Sequence, residues 1–274
     1  MRLKGLKQRA EEPELMDDFT SGGRSLKEAL RQLRWLNRIF GAAGPTLYGV
    51  KRLWLAAGKP SQMSILDIGS GSGDVNRILL RWADKHHIDL KIRLADITEE
   101  ACGEARLLYQ HESRIEVIQH DVFELQQGMA DVITASQFVH HFSSKELPVI
   151  VGRMLSASRF GIVINDIHRH WIPWLAVWLV TRMLSRNRYI RHDGPLSVAK
   201  GFRLADWMSL KMSLKEGFPE IAFSFSWRPL FRYVAIGLKT SEEGSFEPLA
   251  DNSDDRVDSE EKEAIGADQN GTDV

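Results

Sequence analysis

The chain has 274 residues, of which 43% are hydrophobic and 27% are charged, so it can bury a substantial core in one domain or two. Its single cysteine, Cys102, excludes an intrachain disulfide and favours a reducing, cytoplasmic location. The first fifteen residues lack the apolar core of a signal peptide, and no run of about 18 apolar residues predicts a membrane-spanning helix.

The charge is unevenly distributed along the chain. Residues 241–274 contain twelve acidic and two basic residues, a net charge of −10, and Phe246 is their one aromatic residue. This composition predicts an acidic, disordered tail over 241–274. The preceding 240 residues carry a net charge of +9, which would suit an anionic substrate, a membrane surface or the tail itself, or serve only to solvate the surface.

The N-terminal part is predicted to be helical. Residues 1–24 form a leader that we expect to be partly disordered, and residues 25–60 form a helical cap. In the cap, leucines from Leu26 to Leu36 recur every three or four residues. Gly41, Gly44 and Pro45 then end this pattern, and a second helix is predicted over 46–57.

From residue 61 onward, predicted strands alternate with predicted helices. Strands are expected at 64–68, 91–97, 114–122, 130–138 and 160–166, with helices at 75–86, 99–110 and 145–155. This alternation predicts an α/β fold with a doubly wound, mostly parallel sheet. Two further β-rich runs, 220–227 and 231–238, are separated by three residues, which predicts an antiparallel pair.

A glycine-rich stretch, LDIGSGSGD, follows the first predicted strand. Gly69, Gly71 and Gly73 would let a ligand approach the main chain at the carboxyl edge of the sheet, between Asp67 and Asp74. In dinucleotide-binding loops a glycine stands where this chain has Asp74, whose charge would repel a pyrophosphate. The pattern therefore disfavours a dehydrogenase and favours a phosphate-free, even cationic, ligand.

Two more acidic residues follow the next strands. Asp96 ends the second strand, where it could accept hydrogen bonds from a ribose, and Asp121 follows the third, where it could accept from an adenine amino group. Each could instead only cap the structure that follows it. Because three acidic residues end three successive strands, the sequence favours an adenosine pocket.

The stretch LDIGSGSGD resembles motif I of the class I S-adenosylmethionine-dependent methyltransferases. LADIT, QHDVFEL, ADVITASQFVHHF and FGIVINDIHRHW resemble the later strand motifs of the same superfamily. The resemblance implies a seven-stranded Rossmann-like sheet with an antiparallel last strand, a methyltransferase domain over 61–240, and S-adenosyl-L-methionine as cofactor. LRWLNRIFGAAGPTLYGVKRL in the helical cap, NDIHRHW and RHDGPLSVAKGF further resemble the small-molecule branch, including quinone-biosynthesis and type III polyketide-associated methyltransferases.

The resemblance also implies which residues bind the cofactor. The glycine loop would surround the methionine part, Asp67 would hold its amino group, Asp96 the ribose, and Asp121 with Val122 the adenine, while Gln137 would line the path to the sulfonium. The predicted cofactor-binding residues are Asp67, Gly69, Ser70, Gly71, Gly73, Asp96, Ile97, Asp121, Val122 and Gln137.

Methyl transfer to oxygen or carbon requires alignment of the acceptor and removal of one proton. Candidates near the ligand edge are His140 and its neighbour His141, Asp166 with His168, and His192 in a turn-forming sequence. His168 and His192 are the preferred bases, although each candidate could be purely structural. Asp166, His168 and His170 would also suit zinc or iron. No second cluster supports such a site, so we predict no bound metal.

The segment 167–215 is predicted to be an insertion that forms the acceptor pocket or a lid. Within it, Trp171, Trp174 and Trp178 recur at helical spacing, which indicates a core helix, an aromatic-lined pocket or an interfacial helix. Four arginines follow before residue 192. This pattern raises the hypothesis that residues 171–191 contact a membrane surface.

Together these features predict methylation of an apolar, aromatic or polyketide-like small molecule, most simply at oxygen, as in secondary metabolism. The alternatives are carbon methylation of a quinol ring, RNA methylation and a non-catalytic cofactor-binding protein. SQFVHH after the fourth strand, in place of an NPPY-like motif, disfavours a nucleic-acid substrate. The sequence leaves the oligomeric state open.

Overall fold

The structure is a computed structural model that describes residues 6–18 and 23–239. The predicted acidic tail, 241–274, lies outside the described residues.

A seven-stranded sheet forms the centre of the molecule, with strand order β3-β2-β1-β4-β5-β7-β6. Neighbouring strands run parallel except at β7, which is antiparallel to both β5 and β6. The predicted doubly wound sheet with an antiparallel last strand is therefore confirmed. The strands are β1 Gln62–Ile68, β2 Asp89–Asp96, β3 Ile115–Gln119, β4 Ala130–Ser136, β5 Ser158–Ile167, β6 Ile221–Arg228 and β7 Arg232–Lys239.

Eight α-helices occur in the described residues, several with side-chain caps at their N-termini. Thr98 Oγ1 accepts from the amide of Ala101, and the Asn187 side chain accepts from the amide of Tyr189. The helices are α1 Arg24–Ile39, α2 Ala43–Ala56, α3 Asn76–Lys85, α4 Glu99–Leu108, α5 Leu147–Ala157, α6 Trp171–Leu184, α7 Arg188–Lys200 and α8 Leu204–Gly217.

Helices cover both faces of the sheet, and the two central strands β1 and β4 are almost entirely buried, as expected for parallel strands packed on both sides. α2 and α3 pack on one face through side chains such as Leu53 and Leu79, while α5 and α8 pack on the other through Ile150 and Trp207. Of the two predicted cap helices, α2 is thus part of the sheet's own core. α1 instead packs against α4 and α7.

The sequence RHDGP, expected in a loop before the last helix, lies inside α7. The Asn187 cap starts this helix upstream of the turn-forming residues, and Pro195 remains within it. Gly194 brings α7 close to Val177 and Thr181 of α6. Among residues 6–18 and 23–239, no helix is long and apolar enough to cross a membrane.

Candidate active site

A cavity of about 530 Å³ opens at the carboxyl ends of β1, β2 and β4. One part is lined by the glycine loop and the polar strand ends. The other is lined by α1, α7, the two histidines that follow β4, and the segment 6–18, which we call the N-terminal strap. The first part includes Asp67, Gly69, Ser70, Gly71, Asp96, Ile97, Asp121, Val122, Phe123, Gln137 and Phe138; the second includes Glu14, Met16, Asp17, Leu26, Leu30, Leu33, Leu36, His140, His141, Ile190, Asp193 and Ser197.

The glycine loop contacts the cavity through two of its three glycines. Gly69 has a φ of +60°, and a Cβ there would overlap the ring of Phe138, so the position requires glycine. Gly73 is not among the residues that line the cavity: it lies beneath Leu94, and its carbonyl accepts a hydrogen bond from the Tyr109 hydroxyl. Packing against Leu94 is one reason why this position holds glycine.

Asp67, at the end of β1, is buried and lines the cavity. Thr134 Oγ1 donates to one of its oxygens at 2.7 Å and Asn76 Nδ2 to the other at 2.6 Å. Burial raises the pKa of Asp67 to about 6 despite these hydrogen bonds. A carboxylate held in this way would be stabilised by a cationic group in the cavity.

Asp96 and Asp121 each serve the fold and also line the cavity. Asp96 Oδ2 accepts from the Gly71 amide at 2.9 Å, which fixes the glycine loop, and its Oδ1 accepts from the Thr98 amide at 3.0 Å. Asp121 Oδ1 accepts from the amide of Phe123 at 2.9 Å. A structural role and the pocket position therefore coexist at both residues: Asp121 caps the turn 122–124, and Asp96 fixes the glycine loop and Thr98.

Gln137, predicted near the reacting centre, lines the cavity with a φ of +54°. Its Nε2 donates to Asn37 Oδ1 at 2.8 Å, and Asn37 Nδ2 lies 3.4 Å from Asp74 Oδ2. Burial raises the pKa of Asp74. Asn37, which no sequence motif marks, thus links α1 to both the glycine loop and the end of β4.

The N-terminal strap closes one side of the cavity. The Arg9 guanidinium donates to the carbonyls of His140 and Phe142 at 3.1 and 2.8 Å and lies over the Phe202 ring. The amides of Leu15 and Met16 donate to the Asp193 carboxylate of α7. This segment has no periodic pattern, so its place in the site could not be predicted from the sequence.

His140 is buried between two carboxylates. Its Nδ1 lies 2.8 Å from Asp166 Oδ1, and its Nε2 lies 3.5 Å from Glu14 Oε1 of the strap. Burial alone would lower the pKa of His140, but the charge of Asp166 and the hydrogen bonds to Asp166 and Glu14 raise it to about 9. His140 therefore carries its proton at neutral pH, which argues against its predicted role as a base.

His141 stacks on His140, with ring centroids 4.4 Å apart, and its Nδ1 lies 2.8 Å from Asp17 Oδ1. Burial would raise the pKa of Asp17, but its close pairing with the His141 ring lowers it to about 2. Lys200 Nζ lies 3.5 Å from Asp17 Oδ2. The cavity thus contains a histidine paired with an aspartate that stays ionised.

Three predicted catalytic residues lie outside the cavity lining. His168 packs against Phe231 and Tyr233, and burial, with nearby His170 and arginines, lowers its pKa to about 4. The His192 side chain is 51% exposed and pairs with Asp193. Asp166 is fully buried and acts on His140, so it is a positioning residue.

The residues Asp166, His168 and His170 do not form the metal cluster considered from the sequence, because Asp166 pairs with His140. In the described part of the chain, the donor atoms of Glu14, His140 and His141 do lie within 4.8 Å of one another. Lys200 Nζ stands 3.8 Å from Glu14 Oε1. The Lys200 ammonium group and the protonated His140 therefore place positive charge beside the Glu14 carboxylate in this cluster.

The insertion 167–215 contributes to the cavity only through α7 among its helices. Ile190, Asp193, Gly194 and Ser197 line it, whereas the lining residues that the structure describes include none from α6. The tryptophans of α6 therefore do not form the aromatic-lined pocket that the sequence suggested. Leucines of α1 provide the apolar wall instead.

Residues 65–161 match the family model described as a methyltransferase domain. None of the curated proteins compared with the chain matches its sequence. A SAM-dependent methyltransferase from Aquifex aeolicus is 14% identical with a TM-score of 0.52, over 78% of this chain and 98% of that one. The plantazolicin methyltransferase BpumL, solved with S-adenosylhomocysteine, is 14% identical with a TM-score of 0.56, over 79% and 96%. At this identity the structural likeness establishes the fold.

The family match runs from β1 to β5 and includes the glycine loop with Asp67, Asp96 and Asp121. It thus covers the strand ends that line the cavity, on a sheet whose order and antiparallel β7 agree with the expected fold. The chain therefore contains a methyltransferase domain, which the family model matches over residues 65–161, and its sheet has the fold of the S-adenosylmethionine-dependent methyltransferases.

Proposed function

We propose that this enzyme methylates a hydroxyl oxygen of an apolar, aromatic or polyketide-like small molecule. The observation that carries the proposal is the composition of the second part of the cavity. Leucines of α1 and Ile190 form an apolar wall, and this wall ends at the polar group of Glu14, Asp17, His140 and His141. Such a cavity suits a hydrophobic acceptor with one polar reacting group.

The first part of the cavity fits the cofactor. The buried Asp67, with its raised pKa, suits an ammonium group, and Gly71 has open space where a side chain would be. Asp96 and Asp121 place carboxylates on the same side of the cavity as the glycine loop, where we assign them to the ribose and the adenine. When bound, S-adenosylmethionine supplies an electrophilic methyl group whose carbon–sulfur bond breaks with its electron pair moving to sulfur.

We assign the proton of the acceptor hydroxyl to His141. As the oxygen bonds to the methyl carbon, the O–H proton would move to the imidazole, and the ionised Asp17 beside Nδ1 would stabilise the resulting cation. His140, already protonated, would hold the neighbouring ring in place by stacking and add positive charge near the oxygen. Asp166 and Glu14 position His140.

Incubation of the enzyme with methyl-labelled cofactor and pools of phenols, quinols and RNA tests the proposal. Label in a phenol ether would support it, and NMR of the product would separate oxygen from carbon methylation. His141→Gln should lower kcat by about 10² to 10⁴ with cofactor affinity unchanged. His192→Gln, on an exposed histidine outside the cavity, is the matched control and should leave kcat unchanged.

Three results would overturn the assignment: label found only at carbon, label found only in RNA, or a His141→Gln enzyme as active as the control. The cofactor roles are tested separately by calorimetry. Asp96→Ala and Asp121→Ala should each weaken S-adenosylmethionine binding by roughly tenfold or more, because each removes a charged hydrogen-bond acceptor. Unchanged affinity would restrict these aspartates to capping.

A further inference from the structure

Helix α6 presents an exposed apolar stripe to solvent. The structure describes this helix in full, and Thr181 is its only buried residue. Ile172, Leu175, Leu179 and Met183 recur at spacings of three and four, so they share one side, and they are 40% to 78% exposed. Thr181 lies on the opposite side, which packs against α7. An apolar stripe of this kind marks an interaction surface.

The same region is strongly basic. Residues 171–192 contain no acidic residue and four arginines. Arg182, Arg186 and Arg191 are exposed around the C-terminal end of α6, and the Arg182 guanidinium lies 4.9 Å from the centroid of the Trp178 ring. Trp171 is exposed at the other end. Apolar residues bordered by arginines and tryptophans are typical of helices that lie in the interface of a membrane with anionic lipids.

The stripe also lies close to the acceptor part of the cavity. A groove between α1, α6 and α7 is lined by Trp35, Val180 and Leu184. Leu36 and Ile190 line both this groove and the main cavity, so they stand between the two. An apolar acceptor held in a bilayer would therefore be near the cavity when α6 lies on that bilayer, an argument that rests on the proposed function.

We propose that α6 docks the enzyme on a bilayer surface that contains anionic lipids. The apolar stripe inserts at the level of the headgroups, and the arginines bind lipid phosphates. The docking surface is the stripe together with Arg182, Arg186 and Arg191. The complementary charge favours this occupant over a second copy of the chain, whose matching face would carry the same arginines and repel them.

The test is sedimentation of the full chain with vesicles of phosphatidylcholine alone or mixed with phosphatidylglycerol. We expect binding to the mixed vesicles, weaker binding to phosphatidylcholine, and release at high salt. Leu179→Asp and Arg186→Glu should each lower the partition coefficient for mixed vesicles at least about tenfold. Met212→Asp, at a 72% exposed methionine of α8, is the matched control and should bind like the original chain.

Absence of binding to mixed vesicles would overturn the proposal, as would variants that bind as well as Met212→Asp. A dimer in solution that Leu179→Asp converts to monomers, with no vesicle binding, would assign the stripe to self-association and also overturn it. Vesicle binding requires no acceptor, so it is decided independently of the methylation assay. Retained activity of Leu179→Asp toward a dispersed phenol would show that docking and chemistry are separate.

Discussion

The proton on His140 makes the stability of the fold depend on pH. Its pKa in the folded chain is about 9, against 6.5 when unfolded, because Asp166 and Glu14 outweigh the effect of burial. A histidine with a raised pKa contributes its full stability below pH 6.5 and loses it as pH rises through 9. At 1.36 kcal/mol per pH unit, this shift corresponds to a loss of about 3 kcal/mol across that window.

The assay is urea unfolding of the original chain and of His140→Gln at a series of pH values between 6 and 9.5. Groups that titrate alike in both proteins cancel in the difference. The free energy of unfolding of the original chain should fall by about 3 kcal/mol more than that of the variant. Two curves that run parallel over this range would refute the protonated state of His140, and NMR titration of the His140 ring would show it directly.

Three further predictions concern the cavity. Affinity for S-adenosylmethionine should fall as pH drops through 6, where Asp67 becomes protonated, and calorimetry of Asp67→Asn should show weak, pH-independent binding. Gly69→Ala should lower the free energy of unfolding by at least about 1–2 kcal/mol because of the positive φ alone, which thermal unfolding measures. It should also abolish cofactor binding, measured by calorimetry, because the new Cβ would meet Phe138. Glu14→Gln should destabilise the fold by about 3–5 kcal/mol in urea and lower the pKa of His140 by NMR, because it leaves a buried cation with one partner fewer. A Glu14→Gln protein with the original stability would show that the strap contributes no ion pairing.

The sheet and the cofactor part of the site could be predicted because their signals are local. Apolar runs of strand length, separated by helical periods, fix the order of the elements. Since parallel strands end at one edge, residues that follow successive strands must meet there. Asp67, Asp96, Asp121 and Gln137 line one cavity for this reason.

The acceptor part could not be predicted in the same way. The strap carries no periodic pattern. Glu14 pairs with His140 and Lys200, which are distant in sequence, so the position of Glu14 depends on the complete fold. Sequence alone does not show which way a side chain points, so it cannot separate His141 from His168 and His192. The turn propensity of RHDGP was overridden by the helix that Asn187 begins.

The strap and α1, which form most of the wall that we assign to the acceptor, precede the family match, which begins only at residue 65. The strap is attached mainly through side chains, and α1 packs on other helices, so neither is tied to the ladder of the sheet. Substitutions there can reshape selectivity while the central domain stays recognisable. Two enzymes that share this domain but differ before residue 40 would therefore be expected to accept different molecules. Exchanging the segment before residue 40 between them should exchange their acceptor selectivity.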